Sequence, residues 1–192
     1  MSAKVLVPVA DGCEEIEAIT IVDTLRRAGA SVTIASCQKN EQLNITGSHD
    51  IRFQADCPIL ACYNQIYHLI VLPGGVSGAK CLKDTKPLID MLITQKNTRR
   101  WYAAICASPA IVLSPNGLLD NVRATCYPSM IDKLDTANAR LSELIVIDEK
   151  KKVITAQGPG NALAFSLELI NILYGNNSFR PIAKQMVADW AL

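Results

Sequence analysis

Histidine is nearly absent from this chain: two in 192 residues, His49 and His68. Neither follows Cys106, so a cysteine–histidine dyad in the amidotransferase order is excluded. An acid–base partner for a reactive group has to be a carboxyl or something less usual. His68 falls inside an apolar run and reads as a core residue. Long apolar runs are missing too, none reaching the ~18 residues that a membrane span requires. No basic tract or acidic tail stands out, and 19 basic side chains nearly cancel 18 acidic ones, which argues against specific nucleic acid or a membrane as partner. The N-terminus shows no signal-peptide n-region or A-x-A site.

C-x-x-C is lacking, although there are seven cysteines, at 13, 37, 57, 62, 81, 106 and 126. An odd number, without a secretory signal, reads as reduced thiols in a cytoplasmic protein. The closest pair, Cys57 and Cys62, has no second pair at finger spacing, so zinc is not expected. Most of the thiols are expected to be small packing residues. Gly158-Pro159-Gly160 lacks the third glycine of a dinucleotide fingerprint, and Pro73-Gly74-Gly75 lacks the lysine and Ser/Thr of a P-loop. No metal and no cofactor are expected.

What is present is a regular alternation. Lys4 to Val9 is a valine-rich run that reads as a buried strand. A helix follows from Cys13, with Ala18, Ile21, Val22, Leu25 and Ala28 on one face and Gly29 as its stop. Ser31 to Ser36 is the next strand, completing a β-α-β unit with a right-handed crossover. Residues 40–57 predict a small hairpin or edge pair. Tyr67 to Leu72, Trp101 to Ile105, Val122 to Cys126, Leu144 to Ile147 and Val153 to Ala156 are further strands. Helices are predicted at about Pro87 to Lys96, from near Pro109, from Gly160 to Tyr174, and from Arg180 to Trp190. The expected fold is α/β, a single flavodoxin-like domain over 1–192 with a doubly wound parallel sheet sandwiched by helices. Ligands of such folds bind beyond the carboxyl ends of the strands. Asp11 to Glu17, Pro73 to Gly78 and Cys106 to Pro109 should meet there.

Cys106 ends a buried strand and stands directly before a helix start, with Ser108 as N-cap and Pro109 in the first turn. That resembles a nucleophile elbow, and a helix N-terminus there would lower the thiol pKa. The Pro73-Gly74-Gly75 turn lets backbone approach a ligand, so the amides of Gly74, Gly75 and Ala107 are oxyanion candidates. In the run Glu14-Glu15-Ile16-Glu17, a helical angle of about 100° per residue puts Glu14 on the apolar face, Glu17 at its edge and Glu15 pointing away. A half-buried carboxyl is pushed towards its neutral form and becomes a donor for a thiolate.

These segments resemble the ThiJ/PfpI superfamily, the family of the parkinsonism-associated protein deglycase. The motifs are Gly12 to Glu17, Val22-Asp23 with Arg26 to Gly29, Val71 to Gly75, Ala103 to Pro109, and Gln157 to Gly160, in the family's order and covering nearly the whole chain. The resemblance implies a homodimer, which the wide apolar surface of the first helix also favours. It implies that Cys106 is the nucleophile and that Glu17, rather than Glu14, touches its sulfur. Ala107 stands where the protease branch has histidine. Tyr127 stands where many relatives carry a histidine, and His49 where some carry an arginine. Glu14, His49, Tyr127 and Arg27 are the remaining pocket candidates. Two functions follow: turnover of small reactive carbonyls by a glyoxalase- or deglycase-like reaction, or a non-enzymatic stress protein in which an oxidant converts Cys106 to the sulfinate and alters chaperone or partner binding.

Overall fold

The computed structural model describes residues 2–135, 137–175 and 177–191. Its strands are β1 (Lys4–Val9), β2 (Ser31–Ser36), β3 (Asn44–Thr46), β4 (Arg52–Gln54), β5 (Cys57–Pro58), β6 (Leu69–Leu72), β7 (Trp101–Ile105), β8 (Ile145–Asp148) and β9 (Val153–Ala156). Its α-helices are α1 (Glu15–Arg27), α2 (Val76–Asp84), α3 (Lys86–Asn97), α4 (Ala162–Tyr174) and α5 (Phe179–Gln185). Seven strands form one sheet in the order β5-β2-β1-β6-β7-β9-β8. All its pairings are parallel except β8 against β9, and β3 and β4 make the separate antiparallel hairpin expected in residues 40–57.

Period-two alternation divides β1 between two cores. Val5, Val7 and Val9 face α1 and α4, packing with Ile21, Leu25, Phe165 and Leu169. Leu6 faces the other side, with Ile70 and Leu72 of β6, and meets Leu82 of α2 and Leu88 and Leu92 of α3. The sheet is therefore covered on both faces, which is what continuous apolar strands require. No helix among the described residues is long and apolar enough to cross a membrane.

Several elements differ from expectation. Helix α2 is absent from the sequence reading because its buried side is only Gly78, Ala79 and Leu82, too small to give a visible stripe. Val122 to Cys126 is no strand: β7 takes β9 as its neighbour, and the segment keeps a single bridge, Ala124 to Ala139. The last helix stops at Gln185, with a separate 3-10 turn at Asp189–Ala191. His68 precedes β6 and is exposed, its Nδ1 accepting from the Lys4 N–H at 2.9 Å.

Phe165 is fully buried between α4 and the sheet, whereas Leu144 is 58% exposed. Phe165→Ala should lower unfolding free energy by about 3–5 kcal/mol. Leu144→Ala should change it by less than about 0.5 kcal/mol. Urea titrations of both variants check the pair.

Candidate active site

Two loops meet as bare backbone above the carboxyl ends of β1 and β6. The Glu14 N–H donates to Gly74 O at 3.0 Å, and the Gly78 N–H to Gly12 O at 3.2 Å. Gly75 has φ 83°, and a Cβ there would overlap the Gly12 carbonyl. A Cβ on Gly78 would fall 2.6 Å from Cys13 N. The glycines thus serve first to let the chain pass itself. The third segment arrives from β7. Cys106 has φ 63°, a left-handed conformation costing a non-glycine residue roughly 1–2 kcal/mol. The elbow is present, but the long helix after it is not. Pro109–Leu113 is a five-residue π-helical turn, and Ser108 is already helical at φ −66°, ψ −36°. Ser108 is therefore no N-cap; its hydroxyl donates to Pro73 O at 2.5 Å and ties the elbow to the end of β6.

Cys106 and Glu17 face one another across the bare Cα of Gly74. A Cβ on Gly74 would lie 2.5 Å from Cys106 Cβ and 2.8 Å from Glu17 Oε2. The Gly74 N–H donates to Glu17 Oε2 at 2.7 Å, so this amide is committed and is not an oxyanion donor. The N–H groups of Gly75 and Ala107 are instead the amides beside the Cys106 sulfur and favour its charged form. Glu17 is fully buried and its Oε1 has no partner. Burial pushes the Glu17 carboxyl up to about 7, with the Glu14 charge adding to the rise and the bonds from Gly74 and Cys106 opposing it. Burial likewise pushes Cys106 up to about 12, aided by the Glu17 charge and opposed by the two amides. The expected lowering of the thiol is thus outweighed, because the turn after it is short and the sulfur is largely enclosed. Two such neighbours lose their protons as a pair. The first loss falls near neutrality and leaves one proton between carboxyl and sulfur.

The neighbouring acids are arranged otherwise than the helical wheel implies. Glu14 is extended at φ −74°, ψ 108° and precedes α1, so the wheel does not apply to it. Glu15 does not point to solvent: it is 2% exposed because the loop 47–51 folds over it. It accepts from Ser48 Oγ at 3.0 Å and from the N–H of His49 at 2.9 Å and of Ile51 at 3.4 Å. Desolvation raises its carboxyl, but these donors prevail and hold it at about 2. Ser48, which no motif marks, has a single hydroxyl proton to share, and its Oγ also lies 2.9 Å from Glu14 Oε2 and 2.9 Å from His49 Nδ1. Glu14, Glu15 and His49 offer three potential metal ligands within 4.8 Å of one another. The Ser48 hydroxyl occupies the space they share.

Tyr127 is at the site, its N–H donating to Cys106 O at 2.8 Å and its ring lying against Gly158. His49 sits exposed at the rim, beside Glu14. Arg27 does not join them. It lies ten residues along α1 from Glu17, about 15 Å away at 1.5 Å per residue, and pairs with Asp23 at 2.7 Å.

A carboxyl with a raised folded-state pKa binds its proton more tightly when folded, so its contribution is whole below about 4.5 and is lost as pH rises to about 7. Wild-type stability relative to Glu17→Gln should therefore fall by roughly 3 kcal/mol over that window. Urea midpoints of the two proteins at pH 4.5, 5.5 and 7 measure it; parallel profiles would show that folding does not raise the Glu17 pKa.

Known proteins share this arrangement of chain. Protein DJ-1 homolog B of Arabidopsis thaliana is 38% identical over 181 residues, which are 94% of this chain and 40% of that protein, so the chain spans less than half the relative's length. A Caenorhabditis elegans protein named glutathione-independent glyoxalase DJR-1.2 is 30% identical over 96% of this chain and 95% of its own. The solved structure of oxidized Toxoplasma gondii DJ-1 superposes with a TM-score of 0.93 at 39% identity, covering 98% of this chain and 100% of that one. The DJ-1/PfpI family model matches residues 3–172, from β1 into α4. With the pattern running through every strand of the sheet, the chain belongs to the DJ-1/PfpI family.

Proposed function

We propose that this protein is a cysteine-dependent stress protein that converts small reactive carbonyls, such as glyoxal and methylglyoxal, to hydroxy acids. The observation that carries the reading is Cys106, held at φ 63° with the Gly75 and Ala107 amides beside its sulfur and a fully buried, readily protonated Glu17 next to it. The relative named a glutathione-independent glyoxalase supports it. The pair's shared proton moves from sulfur to Glu17 as Cys106 adds to the aldehyde carbon, and passes on to the carbonyl oxygen to give a hemithioacetal. Glu17, now a carboxylate, takes the proton from that carbon to give an enediol, the hydroxyl proton passes to the neighbouring oxygen, and Glu17 returns its proton to the neighbouring carbon. The product is a thioester, which water cleaves to the hydroxy acid, restoring the thiolate. The Gly75 and Ala107 amides steady negative charge at sulfur and oxygen. Seven free thiols fit a reducing, cytoplasmic setting.

One observation favours a second reading. The unpartnered Glu17 Oε1, when protonated, is a donor for a sulfinate oxygen, and the Toxoplasma gondii neighbour is an oxidized form. In that reading two peroxides convert the Cys106 thiolate to sulfinate, and turnover is not the role. Lactate formation from methylglyoxal separates the two. Under the first reading wild type turns over, Cys106→Ser abolishes lactate, and Glu17→Gln and Glu17→Leu each lower kcat/KM by about 10²–10⁴. No lactate from the wild type would leave the oxidation reading.

We also propose a homodimer through the outer face of α1. Ile16 and Ile19 are 56% and 43% exposed there, and they line one depression with Leu163, Met186 and Trp190, the last 72% exposed. A second copy of this chain is the occupant that the family resemblance implies. Light scattering at micromolar concentration should give twice the chain mass for wild type and the chain mass for Ile16→Glu/Ile19→Glu. A monomeric wild type would sink the proposal.

A further inference from the structure

The edge strand β5 begins at Cys57, and the 3-10 turn Ile59–Cys62 folds the chain back so that Cys62 Sγ lies 3.5 Å from Cys57 Sγ. Among the described residues this is the one pair of cysteines whose sulfurs bond one another. Cys81, by contrast, donates to the Cys37 carbonyl. Cys57 is partly exposed and Cys62 is fully buried. Beside Cys62 stands Tyr67, 2% exposed, whose hydroxyl is buried without a partner. Burial, and then the Cys62 sulfur, raise the Tyr67 phenol above its ordinary value.

We infer that Cys57 and Cys62 are a second oxidant-responsive site, a dithiol that closes to an intramolecular disulfide with Tyr67 as the donor that steadies the attacking Cys62 thiolate. The site is independent of Cys106. The disposition of groups favours this chemistry over a metal. No third His, Cys, Asp or Glu ligand joins the two sulfurs among the described residues, whereas a structural zinc takes four. A disulfide needs S–S near 2.05 Å, so from 3.5 Å the sulfurs close by about 1.5 Å.

The steps balance with a peroxide as oxidant. The accessible Cys57 thiolate attacks the peroxide, giving Cys57 sulfenic acid and hydroxide or alkoxide, which takes up a proton. Cys62 thiolate, accepting from Tyr67, then attacks the Cys57 sulfur, forms the S–S bond and releases hydroxide, protonated to water. Two thiols lose two electrons and one peroxide gains them. Burial and the adjacent Cys62 push the Cys57 thiol up to about 11, so only a small share of it is thiolate near neutrality.

The test uses the whole chain carrying Cys106→Ser, which removes the proposed catalytic sulfur. It is exposed to hydrogen peroxide, quenched at intervals with N-ethylmaleimide and digested with trypsin. The peptide 53–80 holds Cys57 and Cys62 and no other cysteine. It should become two hydrogens lighter and refuse alkylation until a reductant is added. Cys57→Ser should abolish the product while leaving methylglyoxal turnover unchanged in a chain that keeps Cys106. Tyr67→Phe should slow closure by about tenfold, the effect of losing one hydrogen bond to a charged group. Two free thiols at 57 and 62 after Cys13 and Cys126 have been oxidised, or a Cys57 sulfinate beside a free Cys62, would overturn the inference. An unchanged rate in Tyr67→Phe would overturn the role of Tyr67.

Discussion

The close passage of two backbones, Gly12–Glu14 over Gly74–Gly78, governs the carboxyl end of the sheet. Two hydrogen bonds hold it, and no side chain can intervene because Gly75 and Gly78 carry none. The passage fixes where α1 starts and how its first turn hangs over β6. Glu17 reaches the Gly74 N–H only because that turn is so near. Cys106 then approaches the other side of the same Cα, drawn in by Ser108 holding the Pro73 carbonyl. A separation larger by one methyl group would part carboxyl from sulfur. The pair is thus a product of chain geometry first and of residue chemistry second.

Two acids two residues apart, Glu15 and Glu17, end in opposite electrostatic conditions. Glu15 is buried yet strongly ionised, because a loop far along the chain gives it three donors. Glu17 is buried with one backbone donor and one oxygen unserved, so burial wins and the proton stays to near neutrality. The Glu14 charge adds to the rise at Glu17. Hydrogen-bond supply, not depth, decides which carboxyl keeps its charge.

The buried parallel strands were legible because a strand covered on both faces has to be a short apolar run, and β1, β6, β7 and β9 are such runs. Helices α1 and α4 were legible from large residues recurring on one face. Val122 to Cys126 has the same composition as a strand but is buried by packing against the sheet's covering layer, a distinction that only the competing β7–β9 pairing makes. At the site, the meeting of three segments followed from topology. The choice of Glu17 over Glu14 came from family resemblance, since a helical wheel begins one residue too early. Ser48 left no signal: a single serine thirty-odd residues from its acids reaches them only through the β3–β4 hairpin.

The two rims of the sheet bear on a matter unrelated to the site. Open strand edges invite further strands, from a neighbour or from a misfolded copy. Here one rim is β5, two residues long, the second of them Pro58 with no N–H to offer. The other is β8, reversed in direction and ended by Asp148, whose carboxylate is engaged by the N–H groups of Arg123 and Lys151. Neither rim presents the long, flat ladder from which fibrils grow. A sheet with both rims closed in this way resists serving as a template for aggregation.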